Sequence, residues 1–197
     1  FCGDDWQMRS SLFALLKMYE RLTDLHHPHI VAVEEVGLID EHVFVAMEYI
    51  AGQEMSEVLL KHRWFGPRQV MELGHQIAAA LECAHRRGLL HLDLKPDNIL
   101  LSQMPLNTHY HATILDFAHG QLAEATRYME PSERLGSPEY WSPEYAAGRP
   151  LDGRSDIYSL GIILYEALCG KLPFGSHSYT DLIAQHLRRR VEMVPRA

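Results

Sequence analysis

Four side chains in this sequence have the chemistry to handle a phosphate group. Asp93, Lys95 and Asn98 lie within the run His91-Leu-Asp-Leu-Lys-Pro-Asp-Asn98, and Asp116 follows in Asp116-Phe-Ala118. Moving a phosphoryl group asks little covalent chemistry of a protein. It asks for positioned metal ions, a carboxylate beside the attacking hydroxyl, and cations against the phosphates. Asp93 offers an acceptor for a hydroxyl proton, and Lys95, two residues on, a charge to neutralise the moving phosphate. Asn98 offers a neutral oxygen ligand and Asp116 a carboxylate; hard oxygen donors suit Mg²⁺.

These groups need a frame, and the hydrophobic pattern predicts one. Leu12, Phe13, Leu15, Leu16, Leu22 and Leu25 follow a helical spacing that Pro28 ends. Ile30 to Val36 and His42 to Tyr49 read as two strands around a turn at Leu38-Ile-Asp-Glu41. A long helix is expected from about Pro67 to Arg87, where Val70, Leu73, Ile77, Ala80, Leu81 and Ala84 share one face. Pro67 near its start and Gly88 after its end match capping preferences. Short strands are expected at Ile99 to Leu101 and Ala112 to Leu115, so the spacing sets Asp116 at a strand end. Asp156 to Cys169 predicts a buried helix, apolar nearly all round. A last helix is expected over Ser178 to Arg190.

Composition narrows the class. The 197 residues are 47% hydrophobic and 22% charged, ordinary for a globular domain with a substantial core. A net charge of −8 argues against nucleic acid as a partner. Cys2, Cys83 and Cys169 are odd in number and far apart, which argues against a disulfide framework or a zinc site and for a reducing, cytoplasmic setting. The thirteen histidines, including the groups at 26, 27, 29 and 109, 111, lack the cysteine or carboxylate spacing of a zinc centre. Apolar runs fall short of the roughly 18 residues of a membrane span, so membrane contact is not expected from this segment. The oligomeric state stays open.

The four motifs together resemble the eukaryotic-type (Hanks-type) serine/threonine protein kinase domain. The run from His91 to Asn98 is similar to the catalytic loop H-R-D-L-x-x-x-N, and Asp116-Phe-Ala118 to D-F-G. Gly136-Ser-Pro-Glu-Tyr-Trp-Ser-Pro-Glu144 resembles the segment ending in A-P-E, and Asp156-Ile-Tyr-Ser-Leu-Gly161 the start of the family's central buried helix. The resemblance implies an α+β, two-lobe kinase-like fold: a partial N-lobe with antiparallel strands over 1–48, a hinge at 49–53, and a mainly helical C-lobe over 54–197. It implies ATP and Mg²⁺ as reactants and a protein substrate. By the same resemblance Asp93 and Lys95 are catalytic, and Asn98 and Asp116 hold metal. Met47 is the gatekeeper beside adenine, the backbone of Glu48 and Ile50 bonds the base, Glu54 meets ribose or a basic substrate residue, and Leu100 lies beneath the ring. Lys95 and Ser137 favour Ser/Thr specificity. The short loops suggest a bacterial member.

Departures qualify the pattern. Leu92 stands where the family has Arg, so a phosphate-holding pair on the activation loop is not expected; Thr126, Tyr128, Ser132 and Ser137 remain modifiable. Ala118 replaces the Gly of D-F-G, and Met18 falls where the family's regulatory-helix Glu belongs, with Glu20 two residues on. No glycine-rich loop or V-A-I-K-like strand precedes the first helix, so a truncated domain binding ATP weakly is expected. The alternative to an active enzyme is a pseudokinase, a binding or scaffolding module on the same fold. A small-molecule kinase is a third reading, opposed by the run Ser137 to Glu144 and by Asp156. His91 is expected to pack on Phe117, and Asp156 to accept backbone hydrogen bonds from the catalytic loop.

Overall fold

The computed structural model describes residues 16, 17, 19–39, 42–103, 109–117, 136–176 and 178–191. Met18, Ala118, Thr126, Tyr128 and Ser132, like Cys2 and the predicted helical residues Leu12, Phe13 and Leu15, lie outside them.

Among the described residues, 16, 17 and 19–23 are helical; Leu22 and, just beyond, Leu25 are buried. Two antiparallel strands follow, β1 (Val33–Ile39) and β2 (His42–Met47), with Ile39 opposite His42. Leu38 and Ile39, expected in the turn, are still paired, with Val43 and His42. β1 also starts at Val33 rather than Ile30. The residues just before it pair elsewhere. Val31 N–H donates to the Ile114 carbonyl at 3.0 Å, and Ile114 N–H to that of His29 at 2.9 Å. The stretch before β1 is thus stitched to a distant strand, which sets the hairpin against the rest of the chain.

A second antiparallel sheet has the order β3 (Gln53–Glu54), β4 (Ile99–Gln103), β5 (Tyr110–Ile114). Both longer strands outrun the runs expected from the sequence, because pairing carries on into the polar residues Ser102 and His111. The helices are α1 (Met55–His62), α2 (Pro67–His85), α3 (Pro143–Ala146), α4 (Gly153–Cys169) and α5 (Tyr179–Arg188). α2 starts where Pro67 predicts, with Gly66 N–H held by the Gln69 side chain at 3.1 Å. It stops two residues before Arg87. α4 begins three residues before Asp156, because the Asp152 carboxylate caps Arg154 N–H at 2.9 Å. Ser178 caps α5 by accepting from Asp181 N–H, so it flanks that helix.

The main core joins the two long helices to the sheet. Ile77, Leu81 and Ala84 of α2, Ile163 and Ala167 of α4, and Ile99 and Ile114 of β4 and β5 are fully buried within it. Each large aliphatic side chain so buried contributes about 1.5–3 kcal/mol. A separate cluster gathers Leu92, Trp141, Tyr145, Ala146 and Ile183. That cluster ties the loop after α2 to the segment before α3 and to α5.

Candidate functional site

The loop between α2 and β4 carries the site, and a buried carboxylate shapes it. Asp156, on the first turn of α4, has no exposed surface. Its Oδ2 accepts from His91 N–H at 2.9 Å and its Oδ1 from Leu92 N–H at 2.8 Å. His85 Nε2, at the end of α2, lies 2.7 Å from Oδ2. A buried charge needs such partners. In turn they hold Leu92 at φ 56°, in the left-handed region that a branched aliphatic side chain disfavours.

His91 is the next link. Burial pushes its imidazole below the ordinary value, against the opposing pull of the Asp156 charge and the Leu115 carbonyl. The ring is therefore neutral, and its contacts assign the tautomer. Nε2–H donates to the Leu115 carbonyl at 2.8 Å, while Nδ1 accepts from Asp93 N–H at 3.3 Å. The ring packs on Phe117 with centroids 4.8 Å apart, as the sequence predicts.

The polar groups converge from there. Asn98 is nearly buried, and its Nδ2 donates to the Asp93 backbone carbonyl at 2.8 Å and to Asp93 Oδ2 at 3.4 Å. With its nitrogen so used, the amide oxygen of Asn98 is the atom left for a ligand. Lys95 Nζ lies 3.5 Å from Asp93 Oδ2 and donates to Ser137 Oγ at 3.3 Å. Leu115 N–H donates to the Asn98 carbonyl at 2.9 Å, which brings Asp116, at φ 54°, beside the loop. Lys95, Asn98 and Ser137 are thus linked through Asp93 and the Lys95 ammonium, and Asp116 follows Leu115 beside them, though 24 positions separate His91 from Leu115. Among the described residues no group of three or more His, Cys, Asp or Glu could hold a metal ion alone. Mg²⁺ seldom asks for one: it is bound through one or two carboxylates plus substrate phosphates and water.

The remaining predicted residues fall on the surrounding elements. Met47 ends β2 and shares a narrow cavity with Tyr19, Leu22, Asp116 and Phe117. Glu48 N–H donates to the Ala32 carbonyl at 3.0 Å, and its carboxylate accepts from Ala32 N–H at 2.8 Å. The Glu48 and Ile50 side chains line a different cleft, with Ala32, Ser102 and Thr113. Leu100 is paired with Glu54 across β3 and β4 and with Thr113 across β4 and β5. Glu54 accepts from the Ser56 hydroxyl at 3.2 Å.

A profile of the protein kinase domain family matches residues 7–196. The chain belongs to the protein kinase domain family. Serine/threonine-protein kinase ULK3 of Xenopus laevis is 36% identical over 181 residues, covering 92% of this chain and 38% of that protein. Serine/threonine-protein kinase pkn3 of Myxococcus xanthus is 36% identical over 168 residues, covering 83% of this chain and 30% of its own length. PrkC of Bacillus subtilis is 32% identical over 166 residues, 84% of this chain and 25% of that one. The kinase domain here thus has relatives in both animals and bacteria, and spans less than two fifths of the length of each of these three. Its antiparallel strands and helical remainder form a partial kinase-like two-lobe fold.

Within this kinase domain, sequence reasoning missed two contributors. His85 extends the apolar series Ile77, Leu81 by one turn, so a polar residue in an apolar stripe was the available signal. Tyr19 carried no such signal; burial and then the charge of Asp116 hold its hydroxyl above the ordinary value, so it stays protonated beside that carboxylate. Glu144 accepts from the Ser155 hydroxyl at 2.5 Å, joining α3 to α4. The described helices include none long and apolar enough to cross a membrane.

Proposed function

We propose that this kinase domain belongs to a serine/threonine protein kinase, moving the γ-phosphoryl group of ATP to a Ser or Thr hydroxyl of a protein. The observation that carries the reading is the Lys95 ammonium held between Asp93 Oδ2 at 3.5 Å and Ser137 Oγ at 3.3 Å. Asp93 accepts the proton of the attacking hydroxyl. Lys95 balances the charge that gathers on the transferred group. Mg²⁺ bound with ATP neutralises charge on the phosphates, and Asn98 and Asp116 supply protein oxygens of the kind it takes. Met47 and Leu100 enclose the adenine, the backbone of Glu48 and Ile50 bonds its edge, and Glu54 meets ribose or a basic residue of the substrate. We assign residues 1–48 to the N-lobe, 49–53 to the hinge and 54–197 to the C-lobe. The free thiols of Cys83 and Cys169 suit a reducing compartment such as the cytoplasm.

The pseudokinase reading rests on Met18 and Ala118, and the Asp93–Lys95 contact opposes it. Radiolabelled phosphoryl transfer by the whole protein, with Asp93→Asn as control, separates the two. Transfer to Ser or Thr that Asp93→Asn abolishes is the expected result; equal counts from both proteins would overturn the assignment.

A further inference from the structure

α4 is mostly apolar, yet three polar residues share one of its faces. Ser155, Ser159 and Glu166 are spaced by four and seven positions, close to one turn and two. All three bond to the segment between Ser137 and Glu144. Ser155 donates to the Glu144 carboxylate at 2.5 Å. Ser159 Oγ–H donates to the Tyr140 backbone carbonyl at 2.8 Å, and Glu166 accepts from the Tyr140 hydroxyl at 2.8 Å. Tyr140 is therefore held at both ends by one helix.

Ser159 is buried, and its hydroxyl has a choice of acceptor. A serine inside a helix commonly bonds the carbonyl four residues back. That carbonyl, of Ser155, lies 3.2 Å from Ser159 Oγ, so the shorter contact is the one that leaves the helix. It leads to the site. Tyr140 closes the 3₁₀ turn Pro138–Tyr140, and its N–H donates to the Ser137 carbonyl at 3.0 Å. The Ser137 hydroxyl accepts from Lys95 Nζ at 3.3 Å. Among the described residues, these two bonds are the hydrogen bonds of Ser137.

We propose that Ser159 is a positioning residue for phosphoryl transfer: by holding the Tyr140 carbonyl it sets the turn that presents Ser137 to Lys95. A buried helix is a rigid base for such a contact. The Ser137–Lys95 bond is already at the long end of the hydrogen-bond range, so a small displacement of Ser137 ends it. The ammonium then keeps Asp93 alone as its partner among the described residues. The proposal rests on Lys95 acting at the transferred group.

The test is a double-mutant cycle on the whole protein with Ser159→Ala, Ser137→Ala and the two combined. The expected loss in Ser159→Ala is about three- to tenfold in kcat, with KM for ATP unchanged. The combined variant should be no slower than Ser137→Ala, because both changes break one contact. Losses that multiply would overturn the proposal, and so would a wild-type kcat in either single variant. Should Ser159→Ala fail to fold, Ser159→Cys, of similar size and a weaker donor, replaces it in the same cycle. Amide exchange at Tyr140 N–H gives a readout that needs no transfer: faster exchange in the Ser159 variant is expected, and equal rates would refute the link. If the wild type transfers no phosphate, the kinase reading fails, and the exchange rates judge the Ser159 contact alone.

Discussion

Replacing Asp156 with Ala removes the acceptor for three donors at once. The N–H groups of His91 and Leu92, bonded now at 2.9 and 2.8 Å, become unmet in a dry interior. His85 loses its partner too, but its side chain is 21% exposed and water can replace the contact. Two stranded backbone donors at about 1–3 kcal/mol each give a loss of about 2–6 kcal/mol. For a domain of this size each kcal/mol moves the melting temperature by about 2–4 °C, so a fall of about 5–20 °C is expected. Asp156→Asn keeps one acceptor oxygen but turns an amide N–H₂ toward the second donor, so its loss should approach that of Ala. Activity should fall further than stability at assay temperature. Leu92 is held at φ 56° by this bond, and Asp93 follows it directly. Thermal denaturation by circular dichroism and steady-state phosphorylation of a Ser/Thr peptide provide the two readouts. A melting temperature for Asp156→Ala within about 2 °C of wild type would refute the reasoning, since it falls below the smallest cost of one stranded donor.

Three other perturbations have defined outcomes. His186 is buried beside Phe174 and accepts from the Tyr158 hydroxyl at 2.9 Å, and burial pulls its imidazole from 6.5 to about 4. The fold favours the neutral form, so its contribution is full above pH 6.5 and drains away as pH falls toward 4; melting curves of His186→Phe across this window should slope less than wild type, and parallel slopes would contradict the assignment. Gly170 ends α4 at φ 67°, and a Cβ there would lie 2.7 Å from the Arg63 carbonyl oxygen; Gly170→Ala should cost about 1–3 kcal/mol in urea denaturation, with the m-value unchanged. Leu92 sits in an apolar cluster and carries no charge to hold a phosphate; alanine at both Thr126 and Ser132 should therefore leave kinase activity within about tenfold of wild type, and a loss of roughly 100-fold, near 2.7 kcal/mol, would show that loop phosphorylation governs the enzyme.

The residues themselves carried the chemistry. The types and order of Asp93, Lys95, Asn98 and Asp116 point to phosphoryl transfer because those groups sit close along the chain or at a strand end, and local spacing is legible in a linear text. Most of the longer helices and strands were legible for the same reason, but α1 (Met55–His62), β3 (Gln53–Glu54) and the short α3 (Pro143–Ala146) were not foreseen, and elsewhere the differences fall at ends. α4 starts early through the Asp152 cap, and β1 starts late because the residues before it, His29 and Val31, bond to β5. Other features exist only once distant segments meet. Asp156 reaches His91 and Leu92 across 65 and 64 positions, Tyr19 comes to rest near Asp116, and Trp141 is buried in one cluster with Leu92. Periodicity reports which face of an element is buried; it carries no record of what lies opposite. That pairing is set by how α2, α4 and the β3–β4–β5 sheet pack, so which donors find acceptors had to come from the folded chain.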